Sequence, residues 1–221
     1  RYPTEIISSE NILIDLLINK SSNISKRIKR ISEFTLSLIL LIITTPIILL
    51  FSILIKIEDR GPILYSQKRS GFAGQIFTVY KLRSMKINAE KNGVKWSSEN
   101  DIRVTKVGKF LRKTRLDELP QLISVLKGDM SLIGPRPERP EIDEMLTTKI
   151  PNYKLRYLVR PGISGWAQVS YPYGASIEDS KMKFSYDIYY IKNFSTFFDF
   201  LILLETIRLV FNIRGSYPKK R

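Results

Sequence analysis

Two adjacent carboxylates, Asp117 and Glu118, occupy the stretch of this chain best suited to chemistry. Residues 102–116 before them hold six basic side chains (Arg103, Lys106, Lys109, Arg112, Lys113, Arg115) and no acidic one. After them comes the stiff tripeptide Pro135-Arg136-Pro137. Carboxylates in such an electropositive field stay ionised, ready to hold a cation or attack an electrophile. The chain has no histidine and no cysteine, which removes the commonest general base, the commonest metal ligand and any thiolate or disulfide chemistry. An enzyme of this composition must run on carboxylates. A plainer use of the pair, as the N-cap and first-turn acid of a helix, is the commoner one for such residues.

The elements around the pair follow from spacing. Leu119, Leu122, Ile123 and Leu126 recur as one helix face, and Gly128 supplies a C-terminal stop. Pro120 lacks an N–H and belongs in a first turn, so the helix is expected to start near Asp117. Both acids then lie at the positive end of the helix dipole.

A chain of 221 residues most simply makes one domain with appendages, and its formal charge of +15 points to an anionic partner: nucleic acid, a lipid surface or a phosphorylated substrate. The first residue is not Met, so an upstream portion is expected. Residues 1–25 read as a short helix and a linker. Lys26, Arg27, Lys29 and Arg30 then precede 22 uncharged residues, Phe34 to Ile55, which as a straight helix would reach about 33 Å. Basic residues flank this run on both sides, and Pro46 sits near its middle behind Thr44 and Thr45, whose hydroxyls can partly satisfy the backbone that proline frees. These facts favour a helix that enters one leaflet, bends at Pro46 and returns. An ordinary spanning helix and a buried core helix are the alternatives. A cleaved signal peptide fits badly, because no small-residue cleavage site follows.

From Gly61 the period changes. The runs 63–66 and 76–83, joined by the glycine-containing 70–75, predict a β-hairpin made basic by Lys68, Arg69, Lys81 and Arg83, for which phosphate contacts are a natural use. Residues 88–101 are turn-rich and read as a loop, 138–146 as a helix and 160–166 as a Gly/Pro loop with Trp166 as a packing residue. Helices are expected over 178–192 and 197–211, the last too short to span and suited to the core or the membrane interface. The tail 214–221 is basic. The sequence has no internal repeat, P-loop, dinucleotide fingerprint or zinc spacing.

Together these pieces resemble the bacterial sugar transferases, the monotopic polyprenyl-phosphate phosphoglycosyl transferases. The resemblance rests on Lys29-Arg30, Thr45-Pro46, Lys81-Leu-Arg-Ser-Met85, Leu116-Asp-Glu-Leu-Pro-Gln-Leu122, the run from Lys127 to Pro137, the run from Arg160 to Val169, and Asp187-Ile-Tyr-Tyr-Ile-Lys-Asn193, in that order. It covers nearly everything from Lys26 to Phe211. Thr45 stands where the family usually has Ser, and Ser32-Glu33 where it often has Phe-Asp; hydroxyl and acid are both kept.

The resemblance implies an α+β, mostly helical fold: a re-entrant membrane helix broken at Thr45-Pro46, and a cytosolic catalytic domain with a small β-hairpin and amphipathic interfacial helices. The segments would be 1–25 linker, 26–60 basic flank and re-entrant helix, 61–212 catalytic domain and 213–221 tail. Asp117 would be the nucleophile and Glu118 its partner in proton handling or in binding Mg²⁺. Lys81, Arg83, Arg112 and Arg136 would hold phosphates, with weaker roles for Arg160 and Asp187. The implied reaction moves hexose 1-phosphate from a UDP-sugar to undecaprenyl phosphate, on the cytoplasmic face of the bacterial inner membrane, as the first membrane step of exopolysaccharide or O-antigen synthesis. UDP-sugar, undecaprenyl phosphate and membrane lipids are the expected partners, nucleic acid is not, and a homodimer is compatible with the reading. Residues 169–174 look like the hexose-transferring branch. An N-acetylated or diacetamido sugar is the alternative within enzymes, and a membrane-tethered polyanion binder the alternative outside them.

Overall fold

The computed structural model describes residues 23–89, 101–172, 174 and 176–211. The expectations for 1–22, for the 90–100 part of the loop and for the tail after 211 lie outside the described residues. The chain is mostly helical, with one small antiparallel strand pair and one long apolar helix near its N-terminus.

Helix α1 runs without interruption from Asn23 to Asp59, 37 residues with Pro46 inside. It is long and apolar enough to cross a membrane, and only 6% of its most apolar window is buried. Thr44 and Thr45 donate from Oγ1 to the carbonyls of Leu40 and Leu41, both at 2.7 Å. The carbonyl freed by Pro46 is that of Ile42, four residues back, so the threonines cap its two predecessors instead.

Both flanks of the Pro46 segment dock on the same body. On the N-terminal side, Leu36, Leu40 and Leu41 pack against the main core of Val79, Leu122, Val125, Met130, Ile133, Tyr190 and Ile202. On the C-terminal side, Ile48, Phe51 and the buried Ile55 join Leu82 and Leu111. Between them Ile42 and Ile43 are 66% and 63% exposed. Full burial of an aliphatic side chain contributes about 1.5–3 kcal/mol, which Ile55 gains, while the half-buried Leu36, Leu40, Leu41, Ile48 and Phe51 gain a part of it.

An ionic cluster built on the buried Glu33 and the half-buried Lys29 and Asp199 fastens the N-terminal flank. Lys29 Nζ donates to Asp199 Oδ2 at 2.7 Å, to the Ile133 carbonyl at 3.1 Å and to the Tyr190 hydroxyl at 3.2 Å, and pairs with Glu33 at 3.2 Å. Glu33 in turn accepts from the Ser131 hydroxyl and, at 3.1 Å, the Leu132 N–H. Arg30 donates to the Val125 and Leu126 carbonyls at 2.6 and 3.0 Å. At the other end Asp59 pairs with Arg83.

The hairpin is present: β1 (Leu64–Ser70) pairs antiparallel with β2 (Ile76–Leu82), in a register from Leu64↔Leu82 to Ser70↔Ile76. Its turn uses Ala73 and Gly74 at positive φ. The basic run, read above only for its charge, contains helix α2 (Lys106–Thr114), whose Thr105 side chain caps the Gly108 N–H at 2.9 Å. A Cβ on Gly108 would meet the Ser84 carbonyl at 2.0 Å, so glycine lets α2 lie against the segment after β2.

The expected single helix after Arg115 is two pieces, a 3-10 turn over Leu116–Gln121 and helix α3 (Leu122–Lys127), closed by Gly128 at φ 96. The tighter winding rotates the apolar face: Leu122 and Val125 are buried, but Ile123 is 40% exposed. Asp117 is not the cap either, since that place belongs to Arg115 in a left-handed conformation.

The segment expected to be only a loop at 160–166 holds a short strand. Strand β3 (Ser131–Ile133) pairs in parallel with β4 (Gly162–Ser164), after helix α4 (Pro140–Lys149) and a 3-10 turn over Tyr153–Leu158. Gly134 and Gly162 permit the approach, because a Cβ on Gly162 would lie 2.1 Å from the Gly134 nitrogen. Helices α5 (Trp166–Ser170), α6 (Ile177–Lys192) and α7 (Thr196–Phe211) complete the chain. α6 opens with a full capping box between Ser176 and Asp179. Trp166 packs on Phe198, with ring centroids 5.2 Å apart, in agreement with a packing role. α7 keeps Ile202 buried while Phe197, Phe200 and Leu204 face outward.

Candidate active site

The 3-10 turn places Asp117 and Glu118 side by side among cationic side chains, both more than nine-tenths buried. Its entry residue, Arg115, is held at φ 58 and ψ 17, a conformation that costs an ordinary side chain about 1–2 kcal/mol. Such local strain clusters where geometry serves function.

The surrounding cations come from four elements. Lys81 on β2 donates from Nζ to Glu118 Oε1 at 2.7 Å. Arg136, on the loop after β3, donates from Nη2 to the same oxygen at 2.6 Å and approaches Oε2 at 3.5 Å. Arg112 near the end of α2 donates to the Ser84 hydroxyl at 2.9 Å and contributes positive field at Asp117. Arg115 stands close enough to feel both acids.

The two acids respond differently. Burial would raise Glu118, but Arg136 and Lys81 outweigh it and hold that carboxyl well below the usual range. Burial, and then the neighbouring Glu118 charge, push Asp117 up to about 6 against the opposing pull of Lys81, Arg112 and Arg136. Among the described residues none donates a hydrogen bond to the Asp117 carboxylate. Glu118 is thus a fixed anion that organises two cations, and Asp117 is a buried carboxylate with its oxygens uncommitted. Lys81 is itself pressed downward by burial, with Glu118 opposing and Arg136 adding to the effect.

The donor set fits Mg²⁺ of the substrate-bridged kind. Such an ion uses one or two carboxylates and leaves its other positions to water and phosphate, as the uncommitted Asp117 oxygens and the weakly engaged Glu118 Oε2 would allow. Among the described residues no group of three or more Asp, Glu, His or Cys side chains makes a closed cage.

Of the residues singled out from sequence, the fold therefore brings together Asp117, Glu118, Lys81, Arg112 and Arg136. It commits the others elsewhere. Arg83 pairs with Asp59 at the end of α1. Arg160 donates to the Gly128 carbonyl at 2.9 Å and lies over the Phe72 ring. Asp187 is buried in a pair with Arg156 at 3.0 Å. Thr45 and Pro46, expected to break the membrane helix, lie within α1, which continues through them. Arg115 belongs to the basic run, and its signal is its place two residues before Asp117. Arg69, on the hairpin beside Arg136 and Glu118, carried only the general signal of a basic strand.

The carboxylate pair thus lies under excess positive charge, in a chain whose long apolar helix is docked at both flanks. Residues 24–213 match the bacterial sugar transferase family, and the chain belongs to it. It is 46% identical, over 86% of its length and 45% of the relative's, to a UDP-N-acetylgalactosamine-undecaprenyl-phosphate N-acetylgalactosaminephosphotransferase of Aeromonas hydrophila. It is 37% identical, over 89% of its length and 43% of the relative's, to a UDP-glucose:undecaprenyl-phosphate glucose-1-phosphate transferase of Escherichia coli strain K12. A protein of the same name from Caulobacter vibrioides is 38% identical over 86% of this chain and 72% of its own. The chain thus spans somewhat under half the length of the first two relatives.

Proposed function

We propose that this chain transfers a sugar 1-phosphate from a UDP-sugar to undecaprenyl phosphate through a covalent intermediate on Asp117. The observation that carries the reading is the asymmetry of the dyad: Glu118 is held by Lys81 and Arg136, while no described residue donates to the Asp117 carboxylate. An Asp117 oxygen attacks the β-phosphorus, and the bond from that phosphorus to the bridging oxygen breaks, so UMP leaves with the electron pair. A phosphate oxygen of undecaprenyl phosphate then attacks the same phosphorus and returns Asp117 as a free carboxylate. Arg136, Lys81, Arg112 and Arg115 neutralise the diphosphate, which lets an anionic nucleophile approach. Asp117 and Glu118 would hold Mg²⁺, whose charge when bound further offsets that of the phosphates. Glu118 keeps Lys81 and Arg136 in place, while Arg83 and Asp187 support the site from outside the dyad.

Membrane attachment by re-entry of α1 is part of the proposal. A straight 37-residue helix would place its ends about 55 Å apart, yet both flanks of Pro46 pack on one body, as a helix returning to the leaflet it entered requires. The outward aromatic and aliphatic side chains of α7 suit the same interface, and the catalytic domain would lie on the cytoplasmic face.

For the sugar, residues 169–174 favour UDP-glucose or UDP-galactose. The higher identity to a relative named for N-acetylgalactosamine than to those named for glucose favours the acetamido sugar. Purified membranes given Mg²⁺, undecaprenyl phosphate and each UDP-sugar in turn decide the matter by UMP release. Sustained release with one sugar is the expected result: Mg²⁺ and that UDP-sugar are needed for any UMP, and undecaprenyl phosphate for release beyond one equivalent of protein. Salt-sensitive polyanion binding without UMP release would overturn the reading.

A further inference from the structure

The segment Pro135–Glu138 carries Arg136 to Glu118, but its two prolines offer no N–H, so it cannot be held as an ordinary ladder strand. Its four consecutive carbonyls are each taken by a different donor. Pro135 accepts from the Gly162 N–H at 2.9 Å and Glu138 from the Ser70 N–H at 3.0 Å. Between them Arg136 accepts from Arg156 Nη2 at 2.7 Å, and Pro137 from Arg69 Nη1 at 3.0 Å. Thus β1, the Tyr153–Leu158 turn and β4 each pin one part of the loop.

Arg156 is the most constrained of these donors. It is buried, its Nη2 also meets Asp187 Oδ2 at 3.0 Å, its Nη1 donates to the Tyr153 hydroxyl, and its guanidinium lies 4.9 Å from the centre of the Tyr153 ring. A planar fork with several donors can satisfy all three partners at once, which a lysine ammonium in the same place cannot do with the same geometry.

We propose that Arg156, held by Asp187 and Tyr153, is a positioning residue that locks the Arg136 backbone so that the Arg136 side chain stays aimed at the dyad. Arg69 secures the next carbonyl from the hairpin side. This rests on the transferase reading above, and it gives Asp187, a residue of the family motif, a task away from the substrate.

The test is a double-mutant cycle on the full chain in membranes, with Arg156→Lys, Arg136→Ala and the double variant, reading kcat/KM for UMP release. Misplacement of a catalytic group by about 1 Å can cost on the order of a hundredfold, so Arg156→Lys is expected to lose about tenfold or more on its own. In the Arg136→Ala background the same change is expected to cost less than about twofold. An equal loss in both backgrounds would mean that Arg156 does not act through Arg136, and would overturn the proposal. Binding of inorganic pyrophosphate to the same four proteins supplies a readout that needs no turnover. Non-additive binding without any UMP release would support the clamp and contradict the transferase reading; UMP release with an additive cycle would contradict the clamp alone. Should Arg156→Lys fail to fold, Tyr153→Phe removes one of its partners and enters the same cycle, with the same two outcomes.

Discussion

Lys29, Glu33 and Asp199 make a cluster in which one cation faces two carboxylates and hydrogen bonds close around all three. Tyr190 donates to the second Asp199 oxygen at 2.7 Å, and backbone groups of β3 take what is left. Asp117 and Glu118 sit instead among Lys81, Arg112, Arg115 and Arg136, so four cations meet two acids and one of the acids is uncommitted. The first cluster completes itself and can only hold α1 in place. The second keeps an excess of positive charge, which on the proposed reading the diphosphate of the substrate offsets. On the proposed reading, excess charge with an open acceptor separates a working site from a tie, although both join acids to cations largely withdrawn from water.

Removing the open acceptor gives the largest expected effect. Asp117→Asn should lower UMP release by at least about a thousandfold, because an amide cannot take the phosphoryl group, while the protein stays folded and in the membrane. Turnover within tenfold of the parent would move the nucleophile elsewhere. In the anchoring cluster, Lys29→Met should cost up to about 3–5 kcal/mol of stability, by leaving the buried Glu33 and the half-buried Asp199 without their cation, yet leave kcat per folded molecule unchanged. Thermal unfolding in detergent alongside kinetics reads both. A catalytic loss with no loss of stability would erase the distinction between the clusters.

Arg136→Ala removes a charge-assisted contact worth about 1.5–3 kcal/mol, so kcat/KM should fall roughly tenfold to a hundredfold. Unchanged kinetics would reduce Arg136 to a structural role. The smallest effect is on pH dependence. Asp117, pushed up to about 6, must be ionised to attack, so kcat/KM should fall about tenfold per pH unit below that value and level off above it. Added Mg²⁺ favours the ionised form and should move the limb to lower pH. The sign for stability is opposite: between 3.8 and about 6 the folded chain binds the extra proton, so the Asp117 contribution to stability is lost as pH rises through that window. Asp117→Asn should lack that decline.

Much of the frame is legible where local chemistry repeats or punctuates. The apolar run of α1, the hairpin, and helices α4, α6 and α7 follow from period, caps and turns. The parallel pairing of Ser131–Ile133 with Gly162–Ser164 does not, because strands of three residues carry no period and their partner lies far along the chain. The dyad was readable as an acid pair in a basic field, but its geometry depended on a 3-10 turn that Pro120 and Arg115 impose. Arg156 left no mark in the sequence, since a buried, fully engaged arginine and a solvated one are written with the same letter. Arg160 and Asp187 lie in motifs whose order identifies the family without telling which side chains face the substrate.

The central claim is that Asp117 itself takes the sugar phosphate. Incubating the protein with Mg²⁺ and its UDP-sugar in the absence of undecaprenyl phosphate, then quenching in acid and mapping peptides by mass spectrometry, tests it directly. The account predicts a sugar-phosphate adduct on Asp117 with UMP released in equal amount, discharged when undecaprenyl phosphate is added. UMP release that begins only on adding undecaprenyl phosphate, with Asp117 unmodified throughout, would contradict it.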